Sequence, residues 1–228
     1  TEVNELNTAT RGAAGFGSST AALSAGGRVP PNTNSAKNES WNGSSWTEVA
    51  DLNSARYIMA GAGTTTSGIV FGGDPSNDVV ESWNGSSWTE VSEINTGRNQ
   101  LAGSGASNTS ALGFGGAGAV AVTESWDGSS WTEVNDLSTG REALSSSQSS
   151  PALDALAFGG GTPPGAVDNT EEWTFSGLPP STPAAGYANA ITGDFYYNSS
   201  TGQFKTVNTG GAAGGSWASA ASLSTARA

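Results

Sequence analysis

The sequence predicts an all-β protein, a β-propeller of about five four-stranded blades. Three observations predict it. The stretch Glu-Ser-Trp-Asn-Gly-Ser-Ser-Trp-Thr-Glu-Val stands at residues 39–49 and 81–91, and again at 124–134 with Asp127 in place of Asn. Trp41, Trp83, Trp126 and Trp173 follow one another at intervals of 42, 43 and 47. Ten residues after the second Trp of each unit (Trp46, Trp88, Trp131) comes an arginine (Arg56, Arg98, Arg141), and Trp217 has Arg227 at the same distance. Self-similarity at a fixed period of this size marks a repeat architecture. No helical periodicity competes with it.

The second unit shows the elements in order. Residues 57–63 read as a small-residue strand, and residues 68–71 as an apolar strand stopped by Gly72-Gly73. Residues 79–83 form the third strand and residues 87–91 the fourth, around Asn84-Gly85. Asn-Gly between alternating runs predicts a type I′ hairpin turn, whose two central residues both need positive φ. Asp127-Gly128 is the same device. The two tryptophans, five apart across the turn, are expected to lie beside each other on the hairpin.

The units run over residues 11–55, 56–97, 98–140 and 141–177, within a repeat region spanning 1–177. The fourth has Glu171-Glu-Trp173 but lacks the second Trp, with Leu178-Pro-Pro in its place. A proline-rich linker is expected at 178–185. Residues 186–228 read as a degenerate fifth blade or small β module, with strands at 186–191, 194–198, 203–208 and 216–220. Residues 218–228 repeat the phase of 1–11, so both ends claim one strand slot. A propeller closes by pairing both termini in one blade. The surplus segment is therefore expected to make an inter-subunit or inter-domain contact, with homo-oligomers forming through terminal strands. The chain begins at Thr1 without a signal segment and reads as a processed product or an excerpt.

The Gly-Gly pairs carry a resemblance. Gly26-Gly27, Gly72-Gly73, Gly115-Gly116 and Gly159-Gly160 each follow an apolar strand, and the orders Phe71-Gly-Gly…Trp83…Trp88, Phe114-Gly-Gly…Trp126…Trp131 and Ala25-Gly-Gly…Trp41…Trp46 recur. Over roughly residues 10–175 the chain resembles the kelch repeat. Trp replaces the usual Tyr, and the period near 43 is shorter than the roughly 50 of kelch. The Trp-Asn-Gly-Ser-Ser-Trp-Thr-Glu-Val array resembles repeats of phage structural proteins. The run Gly193-Asp-Phe-Tyr-Tyr-Asn…Ser216-Trp217 resembles a module of tail-fibre and virion appendage proteins. These resemblances imply a structural or adhesive role on a virion or cell surface.

Composition narrows the function classes. The net charge is −12 with only eight Lys and Arg, the wrong sign for neutralising nucleic-acid phosphates or an anionic membrane surface. No apolar run approaches the roughly 20 residues of a membrane span. The chain has no Cys and no His, which removes thiol nucleophiles, His bases and the usual zinc sites. General acid–base chemistry would rest on unpaired Asp and Glu. No enzyme activity, cofactor or metal is expected.

Candidate residues fall into three groups. Arg56, Arg98, Arg141 and Arg227 read either as an anion site or as partners of Glu39, Glu81 and Glu124. Recurrence in every unit favours packing. The Trp residues read either as sugar-stacking platforms or as blade core, with packing again favoured, and Gly27, Gly73, Gly116 and Gly160 belong to the same structural set. Tyr57, Tyr187, Tyr196 and Tyr197 are single aromatics that a ligand could contact. Asn38, Asn42, Asn84, Asn108 and Asn198 stand in Asn-x-Ser/Thr sequons. The third group is two loops after Gly-Gly pairs, with Pro30, Pro31, Asn32 and Asn34 in one and Pro163, Pro164 and Asp168 in the other. Insertions on one face of a repeat scaffold are often its binding face. The expectation is a non-enzymatic structural or adhesive propeller, extracellular or on a virion, whose loops meet subunits of the same assembly or a receptor or glycan. A homopolymeric extracellular filament and a glycan-binding lectin are the alternatives.

Overall fold

Four-stranded antiparallel meanders repeat along the chain because each unit alternates short β-prone runs with Gly, Asn or Asp turns. The computed structural model describes residues 2–147 and 154–175, and the strand backbones of Phe195–Asn198, Gln203–Thr206 and Gly215–Ser219. The first blade holds β1 (Ala14–Ser18) and β2 (Ala21–Ala25), a small hairpin of β3 (Arg28–Val29) and β4 (Thr33–Asn34), then β5 (Asn38–Trp41) and β6 (Trp46–Val49). The second holds β7 (Ala60–Thr64), β8 (Ser67–Phe71), β9 (Val80–Trp83) and β10 (Trp88–Val91). The third holds β11 (Ala102–Ser107), β12 (Ser110–Phe114), β13 (Thr123–Trp126) and β14 (Trp131–Val134).

The fourth blade begins with β15 (Ser145–Ser146) and β16 (Asp154–Phe158), followed by a small hairpin of β17 (Gly161–Thr162) and β18 (Gly165–Ala166) and then β19 (Thr170–Phe175). Its outer strand comes from much later in the chain. After a separate hairpin of β20 (Phe195–Asn198) and β21 (Gln203–Thr206), β22 (Gly215–Ser219) pairs with β19 in the order β15-β16-β19-β22.

The described residues thus form an all-β propeller of four blades, where the spacing predicts about five. The reason is in the register. Trp41 opposes Trp46, Trp83 opposes Trp88, Trp126 opposes Trp131, and Trp173 opposes Trp217. Trp217 occupies the slot that the fourth unit lacks, so the strand expected to close a fifth blade completes the fourth. The predicted strand at 186–191 and the linker at 178–185 lie outside the described residues.

The Asn-Gly turn also differs from expectation. Trp83 pairs with Trp88, so the loop has four residues, Asn84–Ser87, rather than two. Gly85 has φ +96, while Asn84 is not left-handed. Asn84 acts through its side chain: Oδ1 accepts from the amides of Ser86 and Ser87, both at 2.9 Å. An Asx turn needs no positive φ at the Asn.

Among the described residues the core consists of three seams between consecutive blades. Phe16 and Leu23 of the first blade pack with Val70, Trp83 and Trp88 of the second. Ile69 and Phe71 of the second pack with Ala111, Trp126 and Trp131 of the third. Leu112 and Phe114 of the third pack with Ala155, Ala157 and Trp173 of the fourth. Each blade offers large apolar side chains to the blade after it, and meets the blade before it with its tryptophans and a glycine-containing strip. A Cβ at Gly61 or Gly68 would strike the Phe16 ring at 2.8 or 2.4 Å, and one at Gly103 would strike Phe71 at 2.6 Å.

Candidate functional site

The repeated arginines are buried within the protein. Arg56 and Arg141 have no exposed surface and Arg98 is 4% exposed. Each pairs with the glutamate on the third strand of its blade: Arg56 Nη2 to Glu81 Oε1 at 3.0 Å, Arg98 Nη1 to Glu124 Oε1 at 2.6 Å, and Arg141 Nη2 to Glu171 Oε1 at 2.9 Å. Burying an ion pair is unfavourable unless further hydrogen bonds satisfy the remaining donors and lone pairs. Here they do. Arg56 Nη1 donates to the Gly72 and Val79 carbonyls, and Arg141 Nη1 to those of Gly159 and Asn169. Arg98 donates from Nε to the Gly115 carbonyl and from Nη2 to that of Val122. Burial holds the pKa of Arg56 and Arg141 below the usual arginine value, and the adjacent glutamate works against that shift.

The glutamates are held from the other side by a strap that crosses from one blade to the next. The amides of Asn53 and Ser54 donate to Glu81, those of Asn95 and Thr96 to Glu124, and that of Ser138 to Glu171. In the first blade Asn7 and Thr8 do the same for buried Glu39. Its arginine slot is filled by Thr10, whose hydroxyl donates to Gly26 O at 3.4 Å. Arg227 lies outside the described residues. The strap amides were not anticipated from sequence, although the recurring Leu/Ile-Asn/Ser-Ser/Thr-Ala/Gly-Arg pattern at 52–56, 94–98 and 137–141 marks them.

The Gly-Gly pairs are explained by the same strap. The second glycine donates its amide to the next strap's arginine carbonyl: Gly27 to Arg56, Gly73 to Arg98, Gly116 to Arg141. A Cβ on the first glycine would meet that carbonyl at 2.7 Å for Gly26, 2.4 Å for Gly72 and 2.7 Å for Gly115. The strap can approach only because no side chain is there.

The tryptophans form tilted cross-strand pairs with centroids 5.4 Å (Trp41–Trp46), 5.1 Å (Trp83–Trp88) and 5.5 Å (Trp126–Trp131) apart. Trp41, Trp83 and Trp126 donate their indole N–H to the Ser19, Thr65 and Asn108 carbonyls. Except for half-buried Trp46, the members of these three pairs are buried. Trp83 and Trp88 pack against the first blade and Trp126 and Trp131 against the second, while Trp46 lines a shallow groove on the first blade.

The two post-glycine loops are both built as small hairpins at equivalent places in their blades. Arg28 pairs with Asn34 and Val29 with Thr33, and Gly161 pairs with Ala166 and Thr162 with Gly165. Both tips carry a cis Pro-Pro bond, Pro30-Pro31 and Pro163-Pro164. The first hairpin leans on the second unit. The Arg28 guanidinium carbon lies 3.6 Å from the Tyr57 ring centroid, and Asn34 Nδ2 donates to the Asp74 carbonyl at 3.2 Å. Arg11 Nη2 donates to Asn32 Oδ1. Tyr57 is therefore a packing partner of Arg28. Pro31 and Pro163 are exposed at the tips, and Asp168 is half-buried at the base of the second hairpin.

The acidic residues Asp78 and Asp154 are exposed on different blades, and among the described residues no group of three or more His, Cys, Asp or Glu side chains is placed to hold a metal ion. Asn108 does a different job from the sequon reading: it accepts from Ser67 Oγ and donates to Ser82 Oγ, tying the third blade to the second. Asn38 is fully buried. Tyr187 and Asn198's side chain lie outside the described features, as do the side chains of Tyr196 and Tyr197. No protein-family model and no curated protein sequence matches the chain.

Proposed function

We propose that this chain is a non-enzymatic structural and adhesive scaffold, a kelch-like propeller of a virion appendage or cell-surface structure. It offers the paired loop hairpins to a receptor, a glycan or another subunit. The observation that carries the reading is the division of labour between core and rim. The buried glutamates of the second to fourth blades each bind an arginine and strap amides, so these ionisable groups are consumed in holding blades together. What varies between blades is the rim after the Gly-Gly pairs, where Pro30, Pro31 and Asn32 or Pro163 and Pro164 replace shorter turns. A rigid repeat scaffold with variable loops on one rim suits recognition by those loops. The tail-fibre-like motifs in the sequence support the setting.

The test is binding of the fluorescently labelled chain to a glycan array and to intact cells. It is run beside variants in which residues 29–33 or 162–165 are replaced by Gly-Ser. Binding that falls at least tenfold on loop replacement, with an unchanged melting temperature, supports the reading. Binding indifferent to both loops, or turnover of a bound glycan, overturns it.

A further inference from the structure

The seam that joins consecutive blades is left half-made at each end of the array, and the two halves are complementary. Leu156 and Phe158 of β16 stand in register with Ile69 and Phe71 of β8 and with Leu112 and Phe114 of β12. Ile69, Phe71, Leu112 and Phe114 are all at most 1% exposed beneath the following blade. Leu156 is 39% exposed, one of two large hydrophobic residues so exposed among those described.

The first blade shows the opposite surface. Gly15, Gly17, Ala22 and Ser24 are half-buried, while the residues in their places in later blades, such as Gly61, Gly68, Gly103 and Gly113, are buried under an aromatic ring. With Leu6 and Trp46 they line a shallow groove. Leu6 is itself half-buried, whereas its counterparts Leu52, Ile94 and Leu137 are at most 4% exposed against the preceding blade.

The backbone repeats the pattern. Ile58 N–H donates to the Gly12 carbonyl, Gln100 N–H to Ile58, and Ala143 N–H to Gln100, at 2.7, 2.9 and 2.9 Å. Gly12, Ile58, Gln100 and Ala143 share a left-handed φ of +49 to +64 that turns these groups toward the neighbouring unit. Among the described residues the ladder stops with the Gly12 amide at one end and the Ala143 carbonyl at the other, both in exposed residues.

We propose that a second copy of this chain docks head to tail. Leu156 and Phe158 of one copy seat on the Gly15, Ala22 and Ser24 face of the next, and the next copy's Gly12 amide donates to the Ala143 carbonyl. The occupant is another copy because the contact reproduces the three seams inside each chain, large residue onto small and donor onto acceptor. Such a contact is heterologous. It closes into a ring if the rotation per chain divides a full turn, and otherwise runs on as a filament. It uses blade faces and does not depend on the rim loops, so it stands or falls separately from the adhesive reading.

The test is light scattering on the full chain across a dilution series in about 0.15 M salt, which screens the repulsion between chains of net charge −12. The expected result is a mass of two or more chains that falls on dilution. Leu156→Asp and Ala22→Arg are each expected to raise the association midpoint at least tenfold with the melting curve unchanged, because neither side chain supports the monomer core. An equal mixture of the two variants is expected to recover a two-chain species, since each retains one intact face. A single-chain mass at every concentration, assembly insensitive to both substitutions, or failure of the mixture to pair would each overturn the proposal.

Discussion

Arg56 and Glu81 form an ion pair of 3.0 Å between two side chains with no exposed surface. Arg56 arrives on the strap leaving the first blade and Glu81 stands on β9 of the second, so the pair seats each strap on the blade it leads into. Removing one partner leaves a buried charge without its counter-charge. Arg56→Met alone is expected to cost about 3–5 kcal/mol, read as a shift of the urea midpoint. The double change Arg56→Met with Glu81→Leu is expected to recover only part of that loss, because it removes both charges together but leaves the Asn53 and Ser54 amides and the Gly72 and Val79 carbonyls without these partners. Equal loss in the single and double variants would show that the strap needs the ion pair itself.

Glycine positions at the seams separate covered from uncovered blade faces. Gly103→Ala places a Cβ 2.6 Å from the Phe71 ring and is expected to cost about 1–3 kcal/mol through overpacking. Gly15→Ala meets nothing closer than the Leu23 carbonyl at 3.9 Å. At concentrations low enough for single chains it is expected to stay within about 0.5 kcal/mol of the parent. Thermal melts of the two variants side by side decide the point.

Asp127 gives the third turn a pH dependence that the first two lack. Its Oδ1 accepts from the Ser129 and Ser130 amides at 2.8 and 2.9 Å, and these bonds hold its pKa below the usual carboxylate value. A depressed folded-state pKa contributes stability above the unfolded pKa and loses it as pH falls through the folded value. The chain is therefore expected to lose a small increment of stability below about pH 4. Asp127→Asn, the residue of the other two turns, keeps the acceptor and is expected to remove that increment while leaving the neutral-pH melt nearly unchanged. Melting curves of both proteins from pH 7 down to about pH 3 provide the check.

The outer strand of the fourth blade predicts the effect of truncation. A chain ending at residue 177, where the sequence period alone would stop the repeats, lacks β22 and leaves β19 as an open edge. Exposed edges invite pairing with other chains. The truncated chain is expected to melt at a lower temperature than the full chain and to aggregate on heating. An unchanged melt would mean that residues 186–228 fold as a separate module.

The repeat unit was legible in the sequence because its signals are local. Strand, Gly-Gly stop, Trp hairpin and arginine recur at a nearly constant spacing, and four strands per unit follow from turn residues placed between short β-prone runs. The same recurrence marked Arg56, Arg98 and Arg141 as a set. Spacing alone did not reveal which carbonyls they would bind or that strap amides would share the glutamates, since those partners lie 15–33 residues away in the chain and meet only when blades stack. The Asn84 turn was misjudged for a related reason: two serines after Asn-Gly let the side chain accept bonds that a two-residue turn would not use.

What the sequence determined by itself is the repeat unit, four short strands with a Gly-Gly stop, a Trp hairpin and an arginine, because turn residues and alternation along a strand are local signals. What only the tertiary structure decided is which strands share a blade. Trp217 stands 44 residues after Trp173, close to one full period, so its spacing matched a new blade as well as it matched the missing strand of the fourth. Pairing of β19 with β22 settles the choice by satisfying the edge of the fourth blade. Backbone hydrogen bonds between distant strands depend on where the intervening chain travels, which periodicity does not record.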